Sequence, residues 1–281
     1  MTEYKVDFHI HTIYSDGMSY PEDIVFSAKK LGYEKIAITD HDGIDGIKEA
    51  LDAGKKAGIK VIAGIELAAK TDSGIGTHIL GYNIDTKNEK LLSVLDDLLQ
   101  KRRRRNERLI AALNSMGYEI SEKNLADIQP NKFIGQPVIA RALVDKGYAK
   151  SVQQAFDSKK LLGSEIARSV KKEKISSADA VKLINDAGGT AVLAHPIQTR
   201  HIGDAGSEEF YKNIEAIVSE LKDRGLGGLE CLHPDQNLEQ SIRFIEIARK
   251  YDLLITRGSD FHGSDFAKAD KTAYVDITID I

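Results

Sequence analysis

Short β-branched or apolar runs alternate with amphipathic helical patterns along most of this 281-residue chain. That alternation restricts the fold to βα units with parallel strands. Eight candidate strands cover residues 5–10, 35–39, 60–65, 77–82, 190–194, 228–232, 253–256 and 272–279. Between most of them lie helical patterns at 21–31, 44–57, 177–187, 207–224 and 237–251, and Gly32, Gly58, Gly188 and Gly225 stand where such helices should stop. The rhythm breaks once, over residues 88–174, where no convincing strand appears. An apolar stripe at Leu91, Leu95, Leu98, Leu109, Leu113 and Met116 has helical spacing, so this stretch reads as a helical insert. Extending the stripe puts Arg102 and Asn106 on its buried side, within a cationic run at 101–105. Two readings stand: a solvated charged face with one snorkelling arginine, or an insert that caps a site and offers Arg102 or Arg105 to an anion.

Composition removes several classes. With 42% hydrophobic and 29% charged residues the chain can bury an ordinary core. No run approaches the roughly 18 apolar residues of a membrane span, and Glu3, Lys5 and Asp7 stand where a signal peptide would turn apolar, so a cytoplasmic protein is expected. A lone Cys231 permits no internal disulfide and no thiolate zinc site, so any metal must be held by histidine and carboxylate. The net charge of −4 argues against broad duplex DNA binding but leaves room for a local basic pocket. No obligate protein partner is expected.

Six of the eight histidines fall at or just beyond the C-terminal end of a candidate strand: His9 and His11, His41, His195, His233 and His262. His78 lies inside the fourth strand and His201 in a loop, while Asp16, Asp40, Glu66 and Asp260 share the strand-end pattern. In parallel α/β barrels catalytic groups project from that face, so one convergent cluster is expected. Side chains alternate along a strand, which puts His9 and His11 on one face. Buried imidazoles and carboxylates are costly unless cations neutralise them. This donor set suits Zn, Mn or Fe and exceeds the needs of one tetrahedral ion, so two or three divalent metal ions are expected. His195 and His233 each precede a proline, which favours extended backbone there. Asp40, beside His41, is placed to orient a ligand imidazole.

The segments Asp7-Phe-His-Ile-His-Thr-Ile-Tyr-Ser-Asp-Gly17, Ile38-Thr-Asp-His-Asp42, Gly64-Ile-Glu66, His78-Ile-Leu-Gly-Tyr82, Ala194-His-Pro196 and Gly258-Ser-Asp-Phe-His-Gly263 occur in this order. Together they resemble the PHP (polymerase and histidinol phosphatase) superfamily of metal-dependent phosphoesterases. The chain is most similar to the stand-alone bacterial branch, which includes 3′,5′-nucleoside bisphosphate phosphatases and a 5′-to-3′ exoribonuclease. The resemblance implies an α/β fold, a distorted (β/α)7 TIM-like barrel formed by residues 1–87 and 175–281, with a small all-α insert at 88–174 capping the active site. One of the eight strands should then lie outside the barrel. The resemblance also implies three metals. The first would take His9, His11, Glu66 and Asp260; the second, Asp16, His41 and His262; the third, His78 and His195, with Glu66 bridging the first and third.

Paired cations lower the pKa of a shared water by several units, giving a hydroxide that attacks phosphorus while the phosphoryl oxygens are neutralised. No Gly-x-Ser-x-Gly elbow or P-loop offers another nucleophile. His233, His201 or a coordinated water is available to protonate the leaving alkoxide. Arginine is the residue for bidentate phosphate contact, and Arg102, Arg105, Arg141 and Arg200 are the candidates, with Arg257 a further one. The expected reaction is hydrolysis of a phosphate monoester of a nucleoside 3′,5′-bisphosphate or of an oligonucleotide 5′ end. The expected partner is thus a small phosphorylated nucleotide or a short RNA end. Alternatives are another small ester such as histidinol phosphate, and a non-catalytic metal-binding interaction module, against which the complete ligand set speaks.

Overall fold

The computed structural model describes residues 5–129 and 133–269. In chain order it contains β1 (Val6–Asp7), α1 (Pro21–Lys30), β2 (Lys35–Ile38), α2 (Ile47–Ala57), β3 (Lys60–Lys70) and β4 (Gly76–Tyr82). Five helices follow: α3 (Glu89–Ser115), α4 (Glu122–Ile128), α5 (Gln136–Asp145), α6 (Val152–Asp157) and α7 (Glu165–Ser169). The remainder comprises β5 (Ile175–Ser176), α8 (Ser177–Asp186), β6 (Thr190–Leu193), α9 (Glu208–Lys222), β7 (Gly228–Leu232), α10 (Leu238–Lys250) and β8 (Leu254–Arg257).

Seven strands run in the order β1-β2-β3-β4-β6-β7-β8, with β5 paired to β3 off this path. An isolated parallel bridge joins Ile10 to Phe261, and the Phe8 N–H donates to the Arg257 carbonyl at 3.0 Å. These contacts bring the two ends of the sheet together into a nearly closed barrel. The candidate strand at 272–279 lies outside the described residues.

Two expectations change. The strands are not all parallel: β4 is antiparallel to both β3 and β6. No helix separates β3 from β4; a tight turn closed by Thr71 N–H to the Ile75 carbonyl at 2.8 Å sends the chain straight back, which only an antiparallel pair allows. The pairing also carries β3 on to Lys70, beyond the expected end at residue 65. In the first strand, regular pairing stops at Asp7 rather than residue 10. There the Asp7 carboxylate accepts the N–H of His9 at 3.2 Å and of Ser259 at 2.9 Å, and the Ile10 N–H turns to the Thr39 hydroxyl at 3.1 Å.

Helix α3 begins with Asn88 accepting the Leu91 N–H at 2.9 Å, which satisfies one of its unpaired first-turn donors. Its apolar stripe then serves two cores. Leu91, Leu95 and Leu98 pack with the barrel's β4, β6, α8 and α9 side chains, whereas Leu109, Ile110 and Leu113 pack with α4, α5 and α6. Arg102, Arg105 and Asn106 fall between the two cores and are buried there. The polar break in the stripe thus marks the junction of insert and barrel.

Candidate metal centre

One mouth of the barrel collects the strand-end residues. His9 and His11 follow β1, His41 follows β2, His195 follows β6, and Asp260 and His262 follow β8, while Glu66 projects from the middle of β3. His78 stands near the start of β4, and because that strand is reversed its start lies at the same mouth. Glu66 is the hub, fully buried, with its Oε1 2.9 Å from both His78 Nδ1 and His195 Nε2 and 3.4 Å from His9 Nε2. Its Oε2 lies 2.7 Å from His41 Nδ1 and 3.4 Å from His11 Nε2. Asp260 Oδ1 approaches His11 Nε2 at 3.2 Å and His9 Nε2 at 3.4 Å, and Asp16 Oδ1 lies 3.2 Å from His262 Nε2. All nine residues are thereby brought together.

The backbone holds some of these groups in costly positions. His195 is not extended before Pro196; its φ of 23° is kept by an N–H that donates to Glu230 Oε2 at 2.6 Å, overriding the proline's preference. Asp260 also has a left-handed φ, 51°.

Burial opposes charge on Glu66, but His41, His78 and His9 hold its carboxyl well below the usual range, and His9 and His11 do the same for the half-buried Asp260. His11 goes the other way: burial and the neighbouring His262 and His41 push it down to about 3.

These residues fit a divalent cation. Nε2 of His9 faces Nε2 of His11 at 3.1 Å, and Glu66 Oε2 and Asp16 Oδ1 are buried without a hydrogen-bond partner, leaving lone pairs for an ion. Four sets of donors each lie within 4.8 Å: His11, Asp16, His41 and His262; His9, His11 and Asp260; His9, Glu66 and His195; His41, Glu66 and His78.

The other expected residues divide. Asp40 does not touch an imidazole; its carboxylate accepts the Thr12 N–H at 2.8 Å, the Thr12 hydroxyl at 2.7 Å and the Ser15 hydroxyl at 2.5 Å. It reaches His11 only through Ser15, whose Oγ is 3.4 Å from Nδ1. Arg102 and Arg105 line a cavity of about 860 Å³ between insert and barrel, together with Asp16, His41 and His78. Arg200 lines it too and also borders a second cavity, of about 470 Å³, beyond His78 and His195. Arg141 does not line either; its guanidinium donates to the Asp16 carbonyl at 3.4 Å. His233 is buried with Nε2 3.5 Å from Asp260 Oδ2, and its Nδ1 accepts the Asp235 N–H at 3.1 Å, so the neutral ring carries its proton on Nε2. His201 is exposed, on the rim of the second cavity.

Several residues escaped the sequence reading. Glu230 on β7 is fully buried, 3.0 Å from His9 Nδ1. Asp42 holds Arg102 and Lys172. Arg168, Lys171, Lys172 and Lys174 add four cations to the first cavity. Glu230 had a visible signal, a lone acid in the apolar strand Gly-Leu-Glu-Cys-Leu.

Imidazoles and carboxylates gathered at one mouth of a seven-stranded barrel define an α/β barrel protein with a donor set able to hold metal. The PHP domain family matches residues 7–185. Full-length relatives include a phosphoribosyl 1,2-cyclic phosphate 1,2-diphosphodiesterase from Eggerthella lenta, 29% identical over 92% of this chain and 94% of its own, and a 5′-3′ exoribonuclease from Haemophilus influenzae, 32% identical over 92% and 90%. A 3′,5′-nucleoside bisphosphate phosphatase from Chromobacterium violaceum is 28% identical over 92% and 87%. A solved structure from Bifidobacterium adolescentis, described as a metal-dependent phosphoesterase, matches with a TM-score of 0.81 at 29% identity, over 99% of this chain and 93% of that one. The chain belongs to the PHP family and is a phosphoester hydrolase. Among its described residues, no helix is long and apolar enough to cross a membrane.

Proposed function

We propose that the chain hydrolyses a phosphoester of a nucleotide, either the monoester of a nucleoside 3′,5′-bisphosphate or the 5′ end of an oligonucleotide. The observation that carries this reading is the first cavity, which opens on Asp16, His41 and His78 and is lined by Arg105, Arg168, Lys171, Lys174 and Arg200, besides Arg102 and Lys172, which pair with Asp42. A single small phosphate would need few of them, whereas a ligand with several phosphates matches such a concentration of charge. The relatives' names support a nucleotide or ribose phosphate as the substrate class.

His9, His11, Asp16, His41, Glu66, His78, His195, Asp260 and His262 would hold two or three divalent ions, of Mn, Zn or Fe. When bound, these supply Lewis acidity, neutralising phosphoryl oxygens and acidifying water. The chain does the rest. Glu230 holds His9 and the His195 backbone in place, and the insert at 88–174 forms the outer wall of the cavity. His233 turns Nε2 toward Asp260 at 3.5 Å and lies behind the metal centre, outside both cavities. A cytoplasmic site for the reaction accords with the buried, unpaired Cys231.

The test is phosphate release, with Mn²⁺ present, from adenosine 3′,5′-bisphosphate, AMP, histidinol phosphate and a short 5′-phosphorylated RNA. Preference for the bisphosphate or the RNA is expected. Preference for histidinol phosphate would reject the nucleotide reading.

A further inference from the structure

Asp42 directly follows His41, and its backbone has a left-handed φ of 49°. Its N–H donates to the Glu66 carbonyl at 2.9 Å, and its Oδ1 accepts the Ala68 N–H at 3.0 Å. Its Oδ2 receives both the Arg102 guanidinium from α3 and the Lys172 ammonium from the far end of the insert. All three side chains are largely shielded from solvent. The Arg102 guanidinium also lies 3.8 Å from the ring centre of Phe133, and that ring stacks on the His41 imidazole at 6.2 Å with 13° between planes. One carboxylate thus gathers both ends of the insert at the residue next to a candidate ligand.

We propose that Asp42 is a positioning residue that latches the helical insert onto the metal centre and divides the cavity's cations into two sets. Arg102 and Lys172 are committed to the latch, and Arg105, Arg168, Lys171, Lys174 and Arg200 are left for substrate anions. The division rests on reading the cavity as the substrate site; the latch itself does not. A carboxylate shared by two shielded cations is sensitive to loss of any member, since the others are then left uncompensated in a low-dielectric junction.

The full-length chain with Asp42→Asn keeps an acceptor for Ala68 but loses the charge that holds Arg102 and Lys172. Hydrogen exchange in residues 97–174 should quicken by about tenfold or more, as expected when a local opening loses its closing contact. Metal content should stay unchanged. KM for the best substrate of the panel should rise about tenfold with kcat altered far less, the mark of lost binding rather than lost chemistry. Arg102→Gln should act in the same direction, and the double variant should cost no more than Asp42→Asn alone, because that change already removes the Arg102 contact. Additive costs, unchanged exchange in the insert, or loss of metal from Asp42→Asn would each overturn the latch. Faster exchange with an unchanged KM would support the latch and reject the substrate reading of the cavity. If Asp42→Asn does not fold, Lys172→Met removes one of its two contacts and is read by the same measurements.

Discussion

Nδ1 of His9 lies 3.0 Å from Oε1 of Glu230, and both side chains are fully buried. The other oxygen of Glu230 accepts the His195 N–H at 2.6 Å, so one acid fixes a ring on one strand end and a strained backbone on another. A carboxylate that orients a metal-binding imidazole typically matters about 10–100-fold in affinity. Glu230→Gln keeps the shape, and its metal affinity, titrated against a chelator, should fall within that range while the circular dichroism spectrum stays the same. Undiminished affinity would reduce Glu230 to a core residue.

Gly258 leaves no room for a side chain. A Cβ there would lie 2.1 Å from His9 Cβ and 2.6 Å from Glu230 Oε1, pressing on the same pair. Overpacking of this kind costs about 1–3 kcal/mol, so Gly258→Ala should lower the Tm and release metal. Gly43→Ala, whose Cβ would meet only the His41 carbonyl at 3.6 Å, serves as the control and should do neither. Equal effects of the two would show that close packing behind His9 is unimportant.

Much of the centre was legible because its residues are chemically uncommon and sit at strand ends, where alternation and turn signals are strongest. His78 was the instructive case: inside a strand by sequence, it joins the mouth only because β4 runs backwards, a reversal whose available signal was the Thr71-Asp-Ser-Gly74 turn. Residues 8–11 escape regular pairing because Asp7 and Thr39 compete for their backbone groups, an arrangement set by contacts distant in sequence. The same distance hid the pairing of Asp42 with Lys172, separated by 130 positions, and the role of Asp40, which points at a loop rather than at its neighbour. The break in the α3 stripe was visible, but whether its arginines faced solvent or a site depended on how the insert lies against the barrel.

Without metal the centre is a cluster of imidazoles and carboxylates whose stability depends on pH. Burial opposes charge on His262, yet the facing carboxylates of Asp16 and Asp260 outweigh this and hold it up at about 9. His9, His41 and His195 are also raised against their burial, by Glu230 for the first and Glu66 for the others. Relative to an unfolded value of about 6.5, such groups stabilise the fold fully below that pH and lose the contribution as pH climbs through their folded values. His11 and His78 are shifted down, so they oppose stability mainly below about pH 6.5 and contribute little to the change above it. The Tm of the chelated protein should therefore fall between about pH 6.5 and 9. Metal binding needs deprotonated ligands, so the rise in Tm on adding saturating Mn²⁺ should grow over the same range, reaching about 2.7 kcal/mol of added stability at a hundredfold excess over Kd. A chelated Tm that climbs with pH would contradict the charge arrangement.

Arg105 is 3% exposed, and its Nε has no hydrogen-bond partner among the described residues. Burial and the adjacent Arg102 push its pKa down to about 10, the environment of a cation lacking its counter-ion. Such a group is a burden in the free protein and an asset once a phosphate enters the cavity it lines. Arg105→Met removes the burden and the asset together. Its Tm should equal or exceed that of the parent, since replacing an uncompensated buried charge by an apolar side chain of similar length is neutral or stabilising. Its KM for the phosphorylated substrate should rise about 10–100-fold, from the loss of about 1.5–3 kcal/mol in hydrogen bonds to a charged group, with metal content unchanged. Arg141→Gln, by contrast, removes a long contact to the Asp16 carbonyl outside the cavity and should change KM much less. Steady-state kinetics with thermal denaturation of both variants decides the matter. A lowered Tm with an unaltered KM for Arg105→Met would make Arg105 a structural residue, and a larger KM change for Arg141→Gln would return the phosphate contact to α5.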